Sequence, residues 1–141
     1  MDDAEFLSGV SLFSLMKKRD LKRIAKKAEH HSFEKGDLII REGDRDGRLF
    51  VIISGEVEII KDAGGENERR LGNFRSNNYF GETAILDDYV RTASVKALED
   101  TEVLSLDQWN IRDEIKKYPS IAIELLQILA RRLRVSEERK G

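Results

Sequence analysis

The chain has 141 residues, of which 40% are hydrophobic and 37% charged, and its formal net charge is −2. These values are typical of one globular domain with a substantial core, and they argue against a disordered chain. The apolar runs are too short to span a bilayer, the first residues lack the order of a signal peptide, and the sequence contains no cysteine. We therefore expect a cytoplasmic protein without disulfides or thiolate metal ligands, and one whose net charge does not favour nonspecific binding of nucleic acid.

Two helices are predicted in the first 30 residues. Phe6, Val10 and Phe13 recur at helical spacing, which favours a short helix followed by a turn. The second helix is predicted from Lys17 to His30, with a narrow apolar stripe and an opposite face rich in lysine and arginine. We interpret that basic face as solvated rather than as a docking surface for an acidic partner or a membrane.

The middle of the chain, residues 31–106, consists of short β-branched runs separated by glycine. Such runs are typical of an antiparallel all-β architecture with tight turns. Strands are predicted at residues 31–34, 38–41, 49–54, 57–61, 68–74, 92–97 and 103–106. The expected fold class is mainly β with flanking helices, and the strands should form an antiparallel β-roll of the jelly-roll type.

The C-terminal segment is predicted to be helical. Asp107 is a suitable N-cap for a helix that continues to Lys117 with Trp109 partly buried, and Pro119 is well tolerated at the start of a further, long helix. The apolar face of this last helix is wider than packing against one sheet requires. We expect it to contact something else as well, either a second copy of the chain or a bound base.

The stretch from Tyr79 to Ala97 combines groups suited to a phosphorylated ribose. Gly81 has no Cβ, so a phosphate can approach the backbone there, and the first N–H groups of a short helix that follows can bind an anion. The guanidinium of Arg91 can grip two phosphate oxygens at once, while the carboxylate of Glu82 can accept a hydrogen bond from a sugar hydroxyl. This combination indicates a nucleotide.

This stretch resembles the phosphate-binding cassette of the cyclic nucleotide-binding domain family, and most of all that of the bacterial catabolite activators. The matching residues are Phe80, Gly81, Glu82, Ala84, Leu86, Arg91, Thr92, Ala93 and Val95. Further matches lie at residues 36–40, 43–44, 49–53 and 55–57, so the resemblance covers nearly the whole chain. It implies a single domain, 1–141, with N-terminal helices at 1–30, the β-roll at 31–106 with its cassette at 79–97, and C-terminal helices at 107–141.

The resemblance also implies which residues bind the ligand. Glu82 is expected to bind the ribose 2′-hydroxyl and Arg91 the cyclic phosphate. In the catabolite activators the last helix forms a dimer interface and supplies a hydroxyl to the purine, a position that Ser136 matches. The expected ligand-binding set is Phe80, Gly81, Glu82, Thr83, Ala84, Arg91, Thr92, Ile59, Leu71, Arg132 and Ser136.

The chain departs from the family in ways that bear on the ligand and the output. Asn77 and Asn78 replace a Gly-Asp pair but can still make the turn, and Thr83 replaces an aliphatic residue. Thr92 could contact guanine, yet we favour cAMP over cGMP. The activators continue into a helix-turn-helix DNA reader, whereas the sequence given ends at Gly141, so we expect either a stand-alone sensor or a fragment whose effector lies elsewhere.

Three functions are compatible with the sequence. The favoured one is a non-catalytic cyclic-nucleotide sensor in which Arg91 is half-buried and unpaired when empty, so that phosphate removes an electrostatic cost. A degenerate member that serves only for dimerisation or docking is the second. A cupin-like metal enzyme is the least favoured, because His30 and His31 are adjacent and outside the cassette, and Asp87 and Asp88 are expected in a solvated turn.

Overall fold

The computed structural model describes residues 2–87 and 90–140. They divide into two compact units, a β unit of Ala28–Trp109 and a helical unit that contains the residues up to Lys27 and those from Asn110 onward. None of the helices in this part of the chain is long and apolar enough to cross a membrane.

The helices begin and end close to local sequence signals. Their bounds are α1 Asp3–Ser8, a 3₁₀ helix Ser11–Phe13, α2 Lys18–Lys26, α3 Thr83–Leu86, α4 Gln108–Lys117 and α5 Ser120–Lys140. Asp2 caps α1 by accepting a hydrogen bond from the backbone N–H of Glu5 at 2.8 Å. Helix α1 ends at Ser8 and the chain turns at Gly9, so the predicted short helix followed by a turn is present.

Helix α2 is shorter than predicted, because the residues expected to form its end belong to a strand. Glu29 and His30 pair with Ser105 and Leu104 of the last strand. Strand pairing therefore overrides the helical pattern after Lys26.

Arg23, on the basic face of α2, forms ion pairs within the helical unit. The Nε of Arg23 donates to Glu114 at 3.0 Å, another guanidinium nitrogen donates to Asp20, and the guanidinium lies 3.9 Å from the ring centroid of Tyr118. Asp20 and Glu114 are both buried, so Arg23 compensates two carboxylates that would otherwise be costly to bury. The solvated interpretation of the basic face is therefore wrong for Arg23.

Trp109 is 59% exposed, although we predicted it to be partly buried. The buried positions of α4 are Ile111 and Glu114. Trp109 precedes Ile111 by two residues, which is about 200° around a helix, so its side chain points away from the buried face.

The β unit consists of two antiparallel sheets, as predicted. Its strands are β1 Glu29–Phe33, β2 Leu38–Ile40, β3 Arg48–Ser54, β4 Glu56–Lys61, β5 Arg69–Arg75, β6 Tyr79–Phe80, β7 Ser94–Ala97 and β8 Thr101–Asp107. One sheet has the order β1-β8-β3-β6 and the other β2-β7-β4-β5. Strand β6 was not predicted, because two residues are too few to show alternation.

Apolar side chains from both sheets form the core of the β unit. The buried members are Ile39, Ile40, Phe50, Ile52, Val57, Phe80, Val95, Ala97 and Val103. The rings of Phe50 and Phe80 stack with their centroids 5.2 Å apart. This contact fixes the chain immediately before Gly81.

The turn between β3 and β4 depends on Gly55. Its φ is +100°, and a Cβ there would lie 2.7 Å from the carbonyl oxygen of Asp100 and 2.7 Å from the Cα of Thr101. Gly64, in the β4–β5 hairpin, also has a positive φ of +79° but nothing within 4 Å of the added Cβ. A side chain at residue 64 would therefore add only the strain of a positive φ, whereas one at residue 55 would add a clash with the backbone as well.

We expect Gly55→Ala to lower the free energy of unfolding by about 2 to 5 kcal/mol, because strain and overpacking add. Gly64→Ala, with strain alone, should cost about 1 to 2 kcal/mol. Urea denaturation of the two variants measures both values. Equal losses in the two variants would show that backbone packing around residue 55 contributes nothing.

Candidate functional site

Gly81 connects strand β6 to the four-residue helix α3. Its φ is +81°, and an added Cβ would lie 2.7 Å from Nη1 of Arg91 and 2.9 Å from the carbonyl oxygen of Arg48. Glycine is therefore required both by the backbone conformation and by the guanidinium that fills the space beside it.

The guanidinium of Arg91 is held by main-chain carbonyls. Its Nη1 donates to the carbonyl of Gly81 at 3.1 Å, and its Nη2 donates to the carbonyl of Arg48. The side chain is only 6% exposed. We predicted Arg91 to be half-buried and unpaired, and this is wrong, because two of its nitrogens have backbone acceptors.

The third nitrogen of this guanidinium differs from the other two. Among the described residues, Nε of Arg91 is buried and has no hydrogen-bond partner. A buried N–H of a charged group without an acceptor is costly, so this atom is available to donate to a further acceptor.

Asp46 places a carboxylate between two guanidiniums. Its Oδ1 lies 3.7 Å from Nη2 of Arg91. The side chain of Arg48 donates to both of its oxygens, from Nε to Oδ1 at 3.0 Å and from Nη2 to Oδ2 at 2.8 Å. The backbone N–H of Arg48 also donates to Oδ1 at 3.1 Å. Sequence reasoning missed both residues, since nothing in the spacing from 46 or 48 to 91 indicates this contact.

The electrostatics of this cluster follow from burial and from its three charges. Burial lowers the pKa of Arg91, the charge of Asp46 opposes this, and the charge of Arg48 lowers the pKa further. Burial raises the pKa of Asp46, but hydrogen bonds and charge from Arg48, with the charge of Arg91, outweigh it and hold that pKa below 3.8. The hydrogen bond to Asp46 raises the pKa of Arg48. The cluster therefore retains an excess of positive charge.

The structure places the other predicted cassette residues around Gly81 and Arg91. Phe80 is buried in the core, and Thr83 begins α3. The charge of Glu82 raises the pKa of Arg91, so the two charges interact. Thr92 is exposed, and its carbonyl accepts a hydrogen bond from Nζ of Lys61 at 3.1 Å.

Part of the predicted cassette lies outside the described residues. The side chain of Ala84 and all of Asp88 lie outside the described residues, whereas Asp87 is exposed. Because α3 has only four residues, its dipole adds little to anion binding.

Two predicted contacts to the base or ribose lie on β4 and β5. Ile59 is partly buried against the core, while Leu71 is 55% exposed. Ile59 pairs with Gly72, where the register between the strands shifts. Leu71 is therefore accessible to a ligand, and Ile59 also serves the core.

Arg132 and Ser136 belong to the helical unit. They line a cavity of about 520 Å³ together with Ser11, Ser14, Ile128, Arg131 and Val135, all of the same unit. Their assignment to the purine remains a prediction.

The histidines do not assemble a metal site in the part of the chain that is described. No group of three or more histidine, aspartate or glutamate side chains there could hold a metal ion. Nε2 of His31 instead lies 2.9 Å from Oγ of Ser105. A cupin-like metal enzyme has no geometric support among these residues.

A comparison with family models identifies the family of this chain. Residues 30–118 match the model of the cyclic nucleotide-binding domain. The chain belongs to the cyclic nucleotide-binding domain family. Domains of this family are regulatory and generally non-catalytic.

Curated relatives of this cyclic nucleotide-binding domain include a bacterial transcriptional regulator and an animal protein kinase. It is 32% identical over 130 residues to a CRP-like cAMP-activated global transcriptional regulator of Mycobacterium tuberculosis, covering 92% of this chain and 58% of the relative. It is 36% identical over 105 residues to the cGMP-dependent protein kinase egl-4 of Caenorhabditis briggsae, covering 73% of this chain and 14% of the kinase. The chain thus spans only part of the curated relatives that it matches.

A solved structure of similar extent has the same fold. It is the N-terminal domain of a transcriptional regulator from Streptomyces coelicolor, with 25% identity and a TM-score of 0.83. The alignment covers 96% of this chain and 95% of that one.

We expect the ion pairs of Asp46 to make the stability of the empty domain depend on pH. The pKa of Asp46 is lower in the folded protein than its ordinary value of 3.8. The stability that Asp46 contributes is therefore fully present above pH 3.8 and is lost as the pH falls through the folded pKa. The difference in unfolding free energy between the wild type and Asp46→Asn should stay constant from about pH 7 to pH 5 and shrink below about pH 4. Urea denaturation across this range provides the measurement. A difference that persists unchanged to about pH 2 would exclude the carboxylate charge as its origin.

Proposed function

We propose that this domain binds a cyclic nucleotide, cAMP in preference to cGMP, and acts as a non-catalytic sensor. The observation that carries the proposal is the buried, partnerless Nε of Arg91, next to Gly81 in the cassette. An anion with several acceptor oxygens is the natural partner for a buried guanidinium with an unfilled donor.

Each proposed contact has a chemical reason. Arg91 binds the cyclic phosphate, and Gly81, which has no Cβ, leaves room beside the backbone for the guanidinium that binds it. Glu82 accepts a hydrogen bond from the ribose hydroxyl, since its negative charge makes it unsuitable for the phosphate itself. The exposed Leu71 and the half-buried Ile59 cover the apolar faces of the sugar or base.

The hydrogen bonds of Arg91 support a mechanism for sensing. Arg91 now donates to the carbonyls of Gly81 and Arg48, which are neutral acceptors. A phosphate offers acceptors that carry negative charge, so it attracts the guanidinium electrostatically in addition to accepting hydrogen bonds worth about 1.5 to 3 kcal/mol each. Ligand binding would exchange one set of acceptors for the other and release the carbonyls of β3 and of residue 81. The loss of these two hydrogen bonds by the carbonyls is the step that links ligand binding to a change in the protein.

The choice between cAMP and cGMP concerns the residues expected near the purine. The names of the two curated relatives refer to cAMP in one case and to cGMP in the other. Thr92 offers a hydroxyl that suits guanine, yet threonine is also a common strand residue. We propose that Ser136 and Arg132 approach the purine. Titration of cAMP and cGMP in parallel decides the preference.

The sensor is proposed to act in the cytoplasm on an effector that is not among the described residues. The candidates are a domain that follows in a longer chain and a separate protein. Neither ligand binding nor its consequence requires bond making, so we propose no catalytic residue. A metal is not needed either, since a guanidinium supplies the positive charge.

Helix α5 supports a second proposal, association of two copies of this chain. Ile121, Leu125 and Ile128 of this helix are buried, whereas three other apolar residues, Ile123, Leu126 and Leu133, are 57% to 60% exposed. Together with the exposed Ala130, these three exposed residues lie at positions 123, 126, 130 and 133, which is the 3-4-3 spacing of a coiled-coil seam. A seam of this kind fits a second identical helix, and dimerisation would bury it.

We expect Arg91→Ala to weaken cAMP binding by roughly 100-fold or more, because two or more charged hydrogen bonds are lost. Isothermal titration calorimetry gives the affinity, and circular dichroism shows whether the variant is folded. Arg69→Ala is the matched control, since Arg69 is an exposed arginine on β5 of the same unit. Unchanged affinity in folded Arg91→Ala would remove the proposal.

We expect the wild-type chain to show twice the 16.2 kDa mass of one chain by light scattering. Leu126→Glu with Leu133→Glu should shift it to the monomer, because two charges would have to be buried at the seam. Gln127→Glu adds a charge to an exposed neighbour outside the seam and should leave the dimer intact. A dimer that persists in the double variant would place the interface elsewhere.

A further inference from the structure

Asp46 contacts Arg91 without taking up its hydrogen-bonding positions. The oxygens of Asp46 are 2.8 and 3.0 Å from the nitrogens of Arg48, but 3.7 Å separates Oδ1 from Nη2 of Arg91. The nitrogens of Arg91 bond to carbonyls or, at Nε, to no described atom. Asp46 therefore compensates the charge of Arg91 while leaving its donors to other acceptors.

We infer that Asp46 is the resident counter-ion of Arg91 and lowers the affinity for the phosphate by competing with it electrostatically. This inference rests on the proposed function of the site. In the empty protein the carboxylate offsets the cost of burying a guanidinium whose side chain is 6% exposed. In the bound protein the same carboxylate faces a second anion across Arg91, and the two anions repel each other.

Arg48 sets how strongly Asp46 competes. Its guanidinium holds both carboxylate oxygens and also lies 4.8 Å from the ring centroid of Phe50, which anchors it to the core. Because Arg48 neutralises most of the charge on Asp46, it limits the repulsion that the phosphate meets. Asp46 and Arg48 thus change affinity in opposite directions, although both belong to one ion pair.

This arrangement differs in its consequences from a structural role of Asp46. If Asp46 only held residues 41–47 in place through Arg48, removal of either partner would disorder the segment and weaken ligand binding. If Asp46 competes with the phosphate, removal of its charge strengthens binding and destabilises the empty protein. The sign of the change in affinity therefore separates the two roles.

The test measures cAMP affinity by calorimetry for Asp46→Asn, Arg48→Gln and the double variant. Asp46→Asn should bind about three- to tenfold more tightly, as removal of one partly exposed charge allows. Arg48→Gln should bind about three- to tenfold more weakly, because the full charge of Asp46 then opposes the phosphate. The double variant, which has lost both charges, should return close to the wild type.

Two further measurements complete the test. Thermal unfolding without ligand should show that Asp46→Asn is less stable than the wild type at neutral pH. Glu66→Gln removes one negative charge from an exposed position of the β4–β5 hairpin and should leave affinity unchanged, which controls for net charge. The affinity of Asp46→Asn should also fall more steeply with added salt, since its site carries more net positive charge.

The outcomes are distinguishable. If the wild type binds neither cAMP nor cGMP, the proposed function fails and this inference fails with it. If the wild type binds but Asp46→Asn binds equally or more weakly, the counter-ion role alone is overturned. Weaker binding in both single variants would assign Asp46 and Arg48 a positioning role instead.

Discussion

The burial of one guanidinium beside a glycine is the constraint on which the site depends. A charge in this position is tolerated only with acceptors and a counter-ion at hand, and the structure supplies the carbonyls of Gly81 and Arg48 and the carboxylate of Asp46. The carbonyl of Arg48 and the carboxylate of Asp46 come from one segment, two residues apart, and the carbonyl of Gly81 comes from another. The fold therefore has to bring two distant segments to within a few ångströms of one side chain.

The sheets meet this requirement through ordinary packing. Strand β3 presents the carbonyl of Arg48 at its first residue, and the ring of Phe50 two residues later stacks on Phe80. That stack holds β6 against β3, so the following residue, Gly81, lies where its carbonyl meets Arg91. The apolar core thus determines the geometry of a polar site, because a shift of β6 would move one acceptor away from the other.

Site residues that lie close together in the sequence could be predicted from it. Those that only the fold brings close to Arg91 could not. Gly81 and Arg91 lie within one motif, and the short β-branched runs separated by glycine indicated the antiparallel sheets. Asp46 and Arg48 precede Arg91 by more than 40 residues, so no periodicity connects them. The end of α2, the two-residue β6 and the exposed Trp109 were missed for a related reason, since strand pairing and helix orientation overrode local propensity.

The proposed sensor needs an empty state that is stable and a bound state that is more stable only while the ligand is present. A bare buried guanidinium would bind an anion tightly but would destabilise the empty protein, and carbonyl acceptors alone would leave its charge uncompensated. Asp46 resolves this conflict, because Arg48 holds its carboxylate 3.7 Å from Nη2 of Arg91. At this distance the carboxylate compensates the charge of Arg91 without occupying its hydrogen-bond donors. The free energy of binding is then the difference between two states in which the charge of Arg91 is compensated. A switch must keep this difference small enough for the ligand to dissociate again.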